Sequence, residues 1–427
     1  MPPKAKAVIM TVGLSTEPGR DVLDVLELDL RELEPEYLAV IASDASRANG
    51  RRLIERSGLA ADRAEIVEVS DARDLDDIFR KTNELIQRLV EQGYAPDEIA
   101  VNYTAGTKVM GSGAVLSAVY NKVMELRYIT GLTAPGDRPQ PVRHRIVTTR
   151  PGAVFAYQDL LTGRNMLLDL RYRSALDVLA GIDEEFLSPS DRQQLAALIK
   201  LTRAYDAWDN FQYGQFLLRY EEITFNGENL RAFRLEATQH ELVRRVAHET
   251  AARNIGPHII AEMFNNAERR LMVGRIEDAM ARLYRCLELL AQWVLLREYG
   301  IDTNDVDTRR VPPRDRVALE ALRSLEDGMV KIGLRKSFDL LRILGARVGQ
   351  VLEQDPVLRQ FLELRSGSIL AHGLQPVARG DGERFMTHAR EVFRIEIEQF
   401  DELTRQMQFP WLRDRPREAG PDQVRGE

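Results

Sequence analysis

Cysteine is almost missing from these 427 residues: Cys286 stands alone. A single thiol excludes a disulfide framework and a thiolate metal site within one chain, and it fits a reducing cytosol. No stretch approaches the roughly 18 uninterrupted apolar residues that mark a membrane span. The opening MPPKAKAVIMTVG is too short, and too quickly strand-like, for a signal peptide. Among the six histidines, His240 and His248 lie eight apart without an HExxH context, so no metal site is expected. There is no P-loop, no GxGxxG fingerprint and no repeat at a solenoid period. Lysine is scarce, at eight of the 59 basic residues. Excess positive charge is absent as well, since the net charge is −7. The chain is therefore not a general polyanion binder, and any nucleic-acid site must be a local basic patch on an acidic body.

What is present is a globular composition, 44% hydrophobic and 29% charged, long enough for two or three domains. Residues 1–157 alternate strand and helix patterns. AKAVIMTVG (5–13), YLAVIAS (37–43), AEIVEVS (64–70) and EIAVNYT (98–104) read as strands, followed by MELRYITG, VRHRIVTT and AVFAYQ. Helical patterns fall at 19–34, 44–58 with Asp44 as N-cap, 74–93 ending in Gly93, and 107–122. Such alternation predicts a parallel sheet covered on both faces, doubly wound and Rossmann-like. QDLLTGRN interrupts the pattern near 157–165. From 158 to 410 the period is 3.6 and no convincing strand appears, so this part is expected to be all-helical, with 303–316 as a loop and 411–427 as a frayed tail. The fold class is thus α/β plus all-α.

Ligands of open parallel sheets sit beyond the carboxyl ends of the strands. Two junctions there stand out, VGLSTEPG (12–19) and VNYTAGTKVMG (101–111). A helix N-terminus offers unpaired N–H groups to an anion, and Lys108 adds a full charge in the first turn. Asn102 and Thr104 flank the turn, where a base or ribose would lie. The plain alternative is a well-capped helix with a solvated lysine.

In the helical part, LRSGSILAHG (364–373) carries Arg365 and His372. Seven positions on a continuous helix place both on one face, about 10 Å apart along the axis, too far for a direct hydrogen bond. Two copies around a two-fold axis would bring two arginines and two histidines to one cleft. That set suits metal-free RNA cleavage. Histidine moves the proton of the attacking 2′-hydroxyl or of the leaving oxygen, and arginine holds the phosphorane. Ser366 and Ser368 are candidates to orient the phosphate. The plain alternative is an ordinary helix end with Gly373 as its C′ residue. Arg269, Arg270, Arg275, Arg282 and Arg285 are candidates for gripping RNA, against the alternative of a solvated charged face.

Together the two motifs resemble a known architecture. NYTAGTKVM resembles the TGGTKxM-type ligand loop of CARF domains, and LRSGSILAHG resembles the R-x(4–6)-H signature of HEPN ribonucleases. MVGRIEDAMARLYRCLELLAQ (272–292) also resembles a HEPN helix. Over roughly residues 5–410, the chain resembles the ancillary CARF–HEPN ribonucleases of type III CRISPR–Cas immunity. The resemblance implies a CARF domain over 1–157 and a HEPN ribonuclease within 158–410. It implies a cytoplasmic homodimer with no membrane partner, activated by a cyclic oligoadenylate. Its paired HEPN domains would then cut single-stranded RNA without metal or cofactor, by 2′-hydroxyl attack that leaves 2′,3′-cyclic phosphate ends.

Carried over by residue, Arg365 and His372 are the catalytic pair. Asn102, Thr104, Ala105, Gly106, Thr107, Lys108 and Met110 fall on the ligand loop, with Thr11, Gly13, Leu14 and Ser15 on the loop after the first strand. Two positions depart from the pattern. Ser366 follows the arginine where Asn, Asp or His is frequent. Ala105 stands where a second glycine is frequent, and its methyl resists φ > 0. Two other readings of the residues remain: a nucleotide-sensing binding protein with an inactive helical dimerisation domain, and a small-molecule enzyme with its site at TAGTK.

Overall fold

The computed structural model of the chain describes residues 5–14, 22–132, 143–367 and 376–413. Six strands, β1 (Ala7–Thr11), β2 (Tyr37–Ser43), β3 (Ala64–Val69), β4 (Ile99–Asn102), β5 (Glu125–Leu132) and β6 (Arg143–Thr149), form one sheet in the order β3-β2-β1-β4-β5-β6. The first five run parallel, and β6 is antiparallel to β5, with Leu126 opposite Thr149. The sheet is therefore mixed rather than wholly parallel. Only ten residues separate β5 from β6, fewer than a helical crossover between parallel strands requires.

Helices α1 (Val22–Leu33), α2 (Arg47–Ser57), α3 (Leu75–Glu91) and α4 (Lys108–Tyr120) cover the sheet. Alternation decides which face each residue serves. Ala7, Ile9, Ala39, Ile41 and Val101 pack with Ile78, Leu85 and Ala114 of α3 and α4. Val8, Met10, Leu38, Val40 and Ala100 pack with Leu23, Leu26 and Leu53 of α1 and α2. Both faces are covered, so the central strands read as unbroken apolar runs. Asp74 caps α3, accepting from the amides of Asp76 and Asp77 at 3.0 and 3.1 Å. Asp44 is not an N-cap. A 3-10 turn, Asp44–Ser46, precedes α2, and Ser46 Oγ accepts from the Ser43 amide at 3.0 Å.

AVFAYQ is not a strand. It opens helix α5 (Gly152–Leu168), which runs straight through QDLLTGRN. A short apolar run does not discriminate helix from strand by period alone. Gly163, which looks like a breaker, lies where a Cβ would sit 2.5 Å from Leu179 Cδ2. That glycine lets α5 approach the next helix closely.

The remaining described elements are α6 (Tyr172–Ala180), α7 (Pro189–Asp209), α8 (Tyr213–Glu221), α9 (Ala237–Ala251), α10 (Pro257–Met272), α11 (Ile276–Tyr299), α12 (Pro313–Glu320), α13 (Leu334–Ile343), α14 (Val351–Gln354), α15 (Pro356–Gly367), α16 (Arg379–Glu396) and α17 (Phe400–Met407), with 3-10 turns between them. The expected loop at 303–316 is broken by α12, because Pro313 takes the first helical position, where its missing N–H costs nothing. The expected tail begins too early: Trp411 Nε1 donates to Leu168 O at 2.9 Å, and its ring meets Tyr205 edge-on at 4.7 Å. Residues 414–427 lie outside the described residues.

The chain divides into two compact units, Met1–Asp159 with Ile182–Ser188, and Leu160–Gly181 with Pro189–Glu427. Among the described residues, no helix is long and apolar enough to cross a membrane.

Candidate functional site

The strand order reverses between β1 and β4, so the loops after these two strands meet at the carboxyl edge of the sheet. Two contacts bind them together, and a third fixes the first loop to α2. Thr11, wholly buried, donates its hydroxyl to the Ala105 carbonyl. Asn49 of α2 donates from Nδ2 to the Gly13 carbonyl at 2.9 Å. Gly13 lies so close to the second loop that a Cβ would stand 2.7 Å from Gly106 Cα and N. Gly106 has φ +94°, a backbone conformation that suits glycine. Ala105 does not have positive φ, and its methyl packs into the core beside Val12 and Leu26. The departure at Ala105 thus costs this loop nothing.

Two groups of expected ligand residues are spent on the protein itself. Asn102 is fully buried: Nδ2 donates to Asp29 Oδ2 at 2.6 Å, and Oδ1 accepts from the Thr104 amide at 2.9 Å. Met110 belongs to the core under α3 and α4. Thr104 Oγ1 accepts from the Ile129 amide at 2.9 Å, continuing the ladder past the end of β4. Thr107 caps α4, its Oγ1 accepting from the Met110 amide at 3.1 Å and donating to Ala72 O at 2.6 Å. Thr11, Asn102, Thr104 and Met110 therefore shape the loop from behind, while Thr107 is exposed and held by its cap contacts.

What remains on the outside is Gly106, Lys108 and Leu14, all exposed. Lys108 makes no hydrogen bond or ion pair with any described residue, and the amides of Gly106, Lys108 and Val109 are likewise unpaired among them. An ammonium and a set of open N–H groups on one helix N-terminus form an anion site. Ser15 lies outside the described residues.

Behind the loop sits a buried ionic knot that the sequence reading missed. Arg127 on β5 is paired in register with Asn102, and its guanidinium donates to Asp29 Oδ1 at 2.6 Å, Glu32 Oε1 at 2.6 Å and Glu125 Oε1 at 2.5 Å. Burial works against its charge, yet the Glu32, Asp29 and Glu125 carboxylates outweigh burial and hold it above the ordinary arginine value. Burial pushes the Asp29 carboxyl up, while the Asn102 amide and Arg127 pull it back. An asparagine inside a strand, with an aspartate on the helix over that face, was the available signal.

In the helical unit, Arg365 lies in the last turn of α15. His372, Ser368 and Gly373 lie outside the described residues. The N-terminus of α15 is anchored: Asp355 accepts from the amides of Val357 and Leu358 at 2.8 and 3.2 Å, and its Oδ2 meets His388 Nδ1 of α16 at 2.7 Å.

Two of the arginines considered for RNA are internal. Arg269 is wholly buried, donating to Asp209 Oδ1 at 2.7 Å, Glu262 Oε1 at 2.6 Å and Gln408 Oε1 at 3.0 Å. Arg270 pairs with the other Asp209 oxygen. Arg282 is mostly buried and donates to Asn266 Oδ1 and Asp278 Oδ1, both at 2.5 Å. Arg285 pairs with Glu288. Only Arg275 is exposed without a partner among the described residues. Among the described residues there is no cluster of His, Cys, Asp and Glu that would hold a metal ion.

Residues 248–396 match the Csm6 HEPN domain family. No curated protein matches the chain. Among solved structures, Enterococcus italicus Csm6 bound to cyclic hexa-2′-fluoro-hexa-dAMP superposes with a TM-score of 0.52 at 14% identity, covering 96% of this chain and 99% of that one. Can2 from Sulfobacillus thermosulfidooxidans, in complex with cyclic tetra-adenylate, gives a TM-score of 0.24 at 12% identity over 70% of this chain and 71% of that one. The span that matches the Csm6 HEPN domain family includes α15 and its arginine, and the chain shares the fold of Csm6.

Proposed function

We propose that the chain is a cyclic-oligoadenylate-activated endoribonuclease of CRISPR defence. The observation that carries this reading is the pairing, on one chain, of a Csm6 HEPN domain match with an open-sheet crevice whose lysine and amides have no partner among the described residues. The Csm6 structure of the same fold holds a cyclic hexa-adenylate analogue. A ring of repeating phosphates with near two-fold symmetry suits two copies of one anion site across a dimer axis. The ligand contacts would be Lys108, the Gly106 and Val109 amides and the loop of Gly13, Leu14 and Ser15. The activator raises nuclease activity only by its differential affinity for the active arrangement.

Cleavage is assigned to Arg365 and His372 from both protomers. The 2′-oxygen attacks the adjacent phosphorus as its proton is removed, and the 5′-oxygen leaves carrying a proton. The ends are a 2′,3′-cyclic phosphate and a 5′-hydroxyl. His372 moves protons near neutral pH, and Arg365 holds the charged phosphorane.

A fluorescent single-stranded RNA reporter, incubated with protein and either cyclic tetra- or cyclic hexa-adenylate, tests this directly. Cleavage that needs one of the rings, survives EDTA and disappears in His372→Ala is the expected result. An intact reporter under both rings would overturn it.

A further inference from the structure

A cleft of about 700 Å³ opens entirely within the helical unit, bordered by the α5–α6 turn, the end of α7 and the α10–α11 turn. Its volume is that of a nucleotide-sized pocket. Four arginines line it, Arg171, Arg173, Arg270 and Arg275, against two carboxylates, Asp169 and Asp206. Arg171, Arg173 and Arg275 are exposed, and their side chains bond to no described residue. In a chain of net charge −7, three unpartnered arginines around one opening form the local basic patch that a polyanion requires.

A second observation points to a ligand. Tyr172 and Arg270 are both more than nine-tenths buried and both line the cleft. Among the described residues the Tyr172 hydroxyl and the Arg270 Nε have no hydrogen-bond partner, while another nitrogen of the same guanidinium pairs with Asp209. Buried donors are nearly always satisfied, so two orphans on one cleft wall mark a place for an acceptor. Burial, and after it the neighbouring charges of Arg282 and Arg275, pull Arg270 below its ordinary value. Leu170 and Met272 add apolar surface of the kind a base rests on.

We propose that this cleft is an RNA subsite outside the catalytic pair. It would take a phosphodiester of a single strand on Arg171, Arg173 and Arg275, with the Tyr172 hydroxyl and Arg270 Nε as its buried donors. The choice of RNA over another phosphoester rests on the ribonuclease reading. The open rim of arginines lets a strand continue past the pocket, which a site for a free nucleotide has no need of.

The test is anisotropy of a labelled single-stranded RNA across a salt series. It uses the full chain carrying Arg365→Ala, so that the probe is not consumed, with and without Arg171→Ala/Arg173→Ala/Arg275→Ala. These three side chains are exposed, so the melting temperature is expected to hold. The triple variant should lose at least about tenfold in affinity, and the slope of log K against log salt should fall by about 2, at about 0.7 per phosphate contact on a single strand. Tyr172→Phe, which keeps the ring, should weaken binding about threefold. Unchanged affinity and slope in the triple variant overturn the proposal. So does displacement of the RNA by submillimolar AMP from the parent, which would make the occupant a free nucleotide. The binding assay reads the cleft even if no activator elicits cleavage, so its outcome is separable from that of the ribonuclease reading.

Discussion

The two units bury charge in different ways. In the sheet unit one guanidinium, Arg127, meets three carboxylates, and one of them, Glu32, is more than half exposed. Its position follows from strand register, since Asn102 and Arg127 are opposite each other and Asp29 overlies them from α1. In the helical unit Arg269, Asp209 and Glu262 are all wholly buried, and Arg270 is nearly so. Of that knot only Arg270 reaches the surface, at the wall of the cleft. The knot ties α7 to α10 and to Gln408, and only the Glu262–Arg269 contact lies within one helix. A charged stripe on a helix is thus no guide to an outer face. On α10 the stripe points inward, while the exposed arginines of the cleft sit at the N-terminal ends of α6 and α11.

Breaking each region in turn sharpens that contrast. The largest effect is expected on catalysis. His372→Ala and Arg365→Ala should each lower reporter cleavage by on the order of 10²–10⁴, with the thermal midpoint unmoved. A midpoint that falls with activity would make these residues structural.

Next comes the closed knot. Arg269→Met strands Asp209 and Glu262 without a full counter-charge and should cost about 4 kcal/mol in urea unfolding. Arg127→Met, whose knot has a solvent-exposed member, should cost about half as much, near ~2 kcal/mol. Equal losses would erase the distinction between the two regions.

Asp77 in the first turn of α3 offers a smaller, pH-dependent contrast. Its Oδ2 accepts from the Ser70 amide at 2.8 Å and hydroxyl at 2.7 Å, and Arg80 donates to Oδ1 at 2.6 Å. The Ser70 amide is the chief cause that holds this carboxyl below its ordinary value, with burial opposing. A depressed folded pKa gives stability that is complete above the unfolded value near ~4 and lost as pH falls through the folded one. Asp77→Asn should cost about 2 kcal/mol at pH 7 and should flatten the acid limb of stability. An unchanged limb refutes the assignment. The smallest effect is at the sensor loop. Lys108→Ala should weaken activator binding by calorimetry about tenfold, the worth of one charge-assisted hydrogen bond, and saturating activator should restore cleavage. Unaltered affinity removes Lys108 from the site.

Much of the sheet was legible because burial on both faces writes it as apolar runs, as in AVIMT and YLAVIAS. Caps were less legible: Asp44 reads as one and is not, while Thr107 caps α4. AVFAYQ was not legible, since so short a run, five of its six residues apolar, satisfies either period until the chain beyond it is counted. Gly163 was misleading for a related reason: the same residue serves as a helix breaker or as a contact point, and only the neighbouring Leu179 decides. At the candidate site, spacing brought Asn102 and Met110 into the loop by number, but burial turned both toward the core.

Sequence alone determined the α/β-then-helical order, the position of the strand–helix junction that carries Lys108, and the arginine–histidine signature at 365 and 372, because each is a local pattern of a few residues. Tertiary structure alone decided which polar groups remain free. Asp29 meets Arg127 across 98 positions, Asp209 meets Arg269 across 60, and Thr11 meets Ala105 across 94. A hydrogen bond is satisfied in space, so only the folded chain tells a spent donor from one still waiting for a ligand.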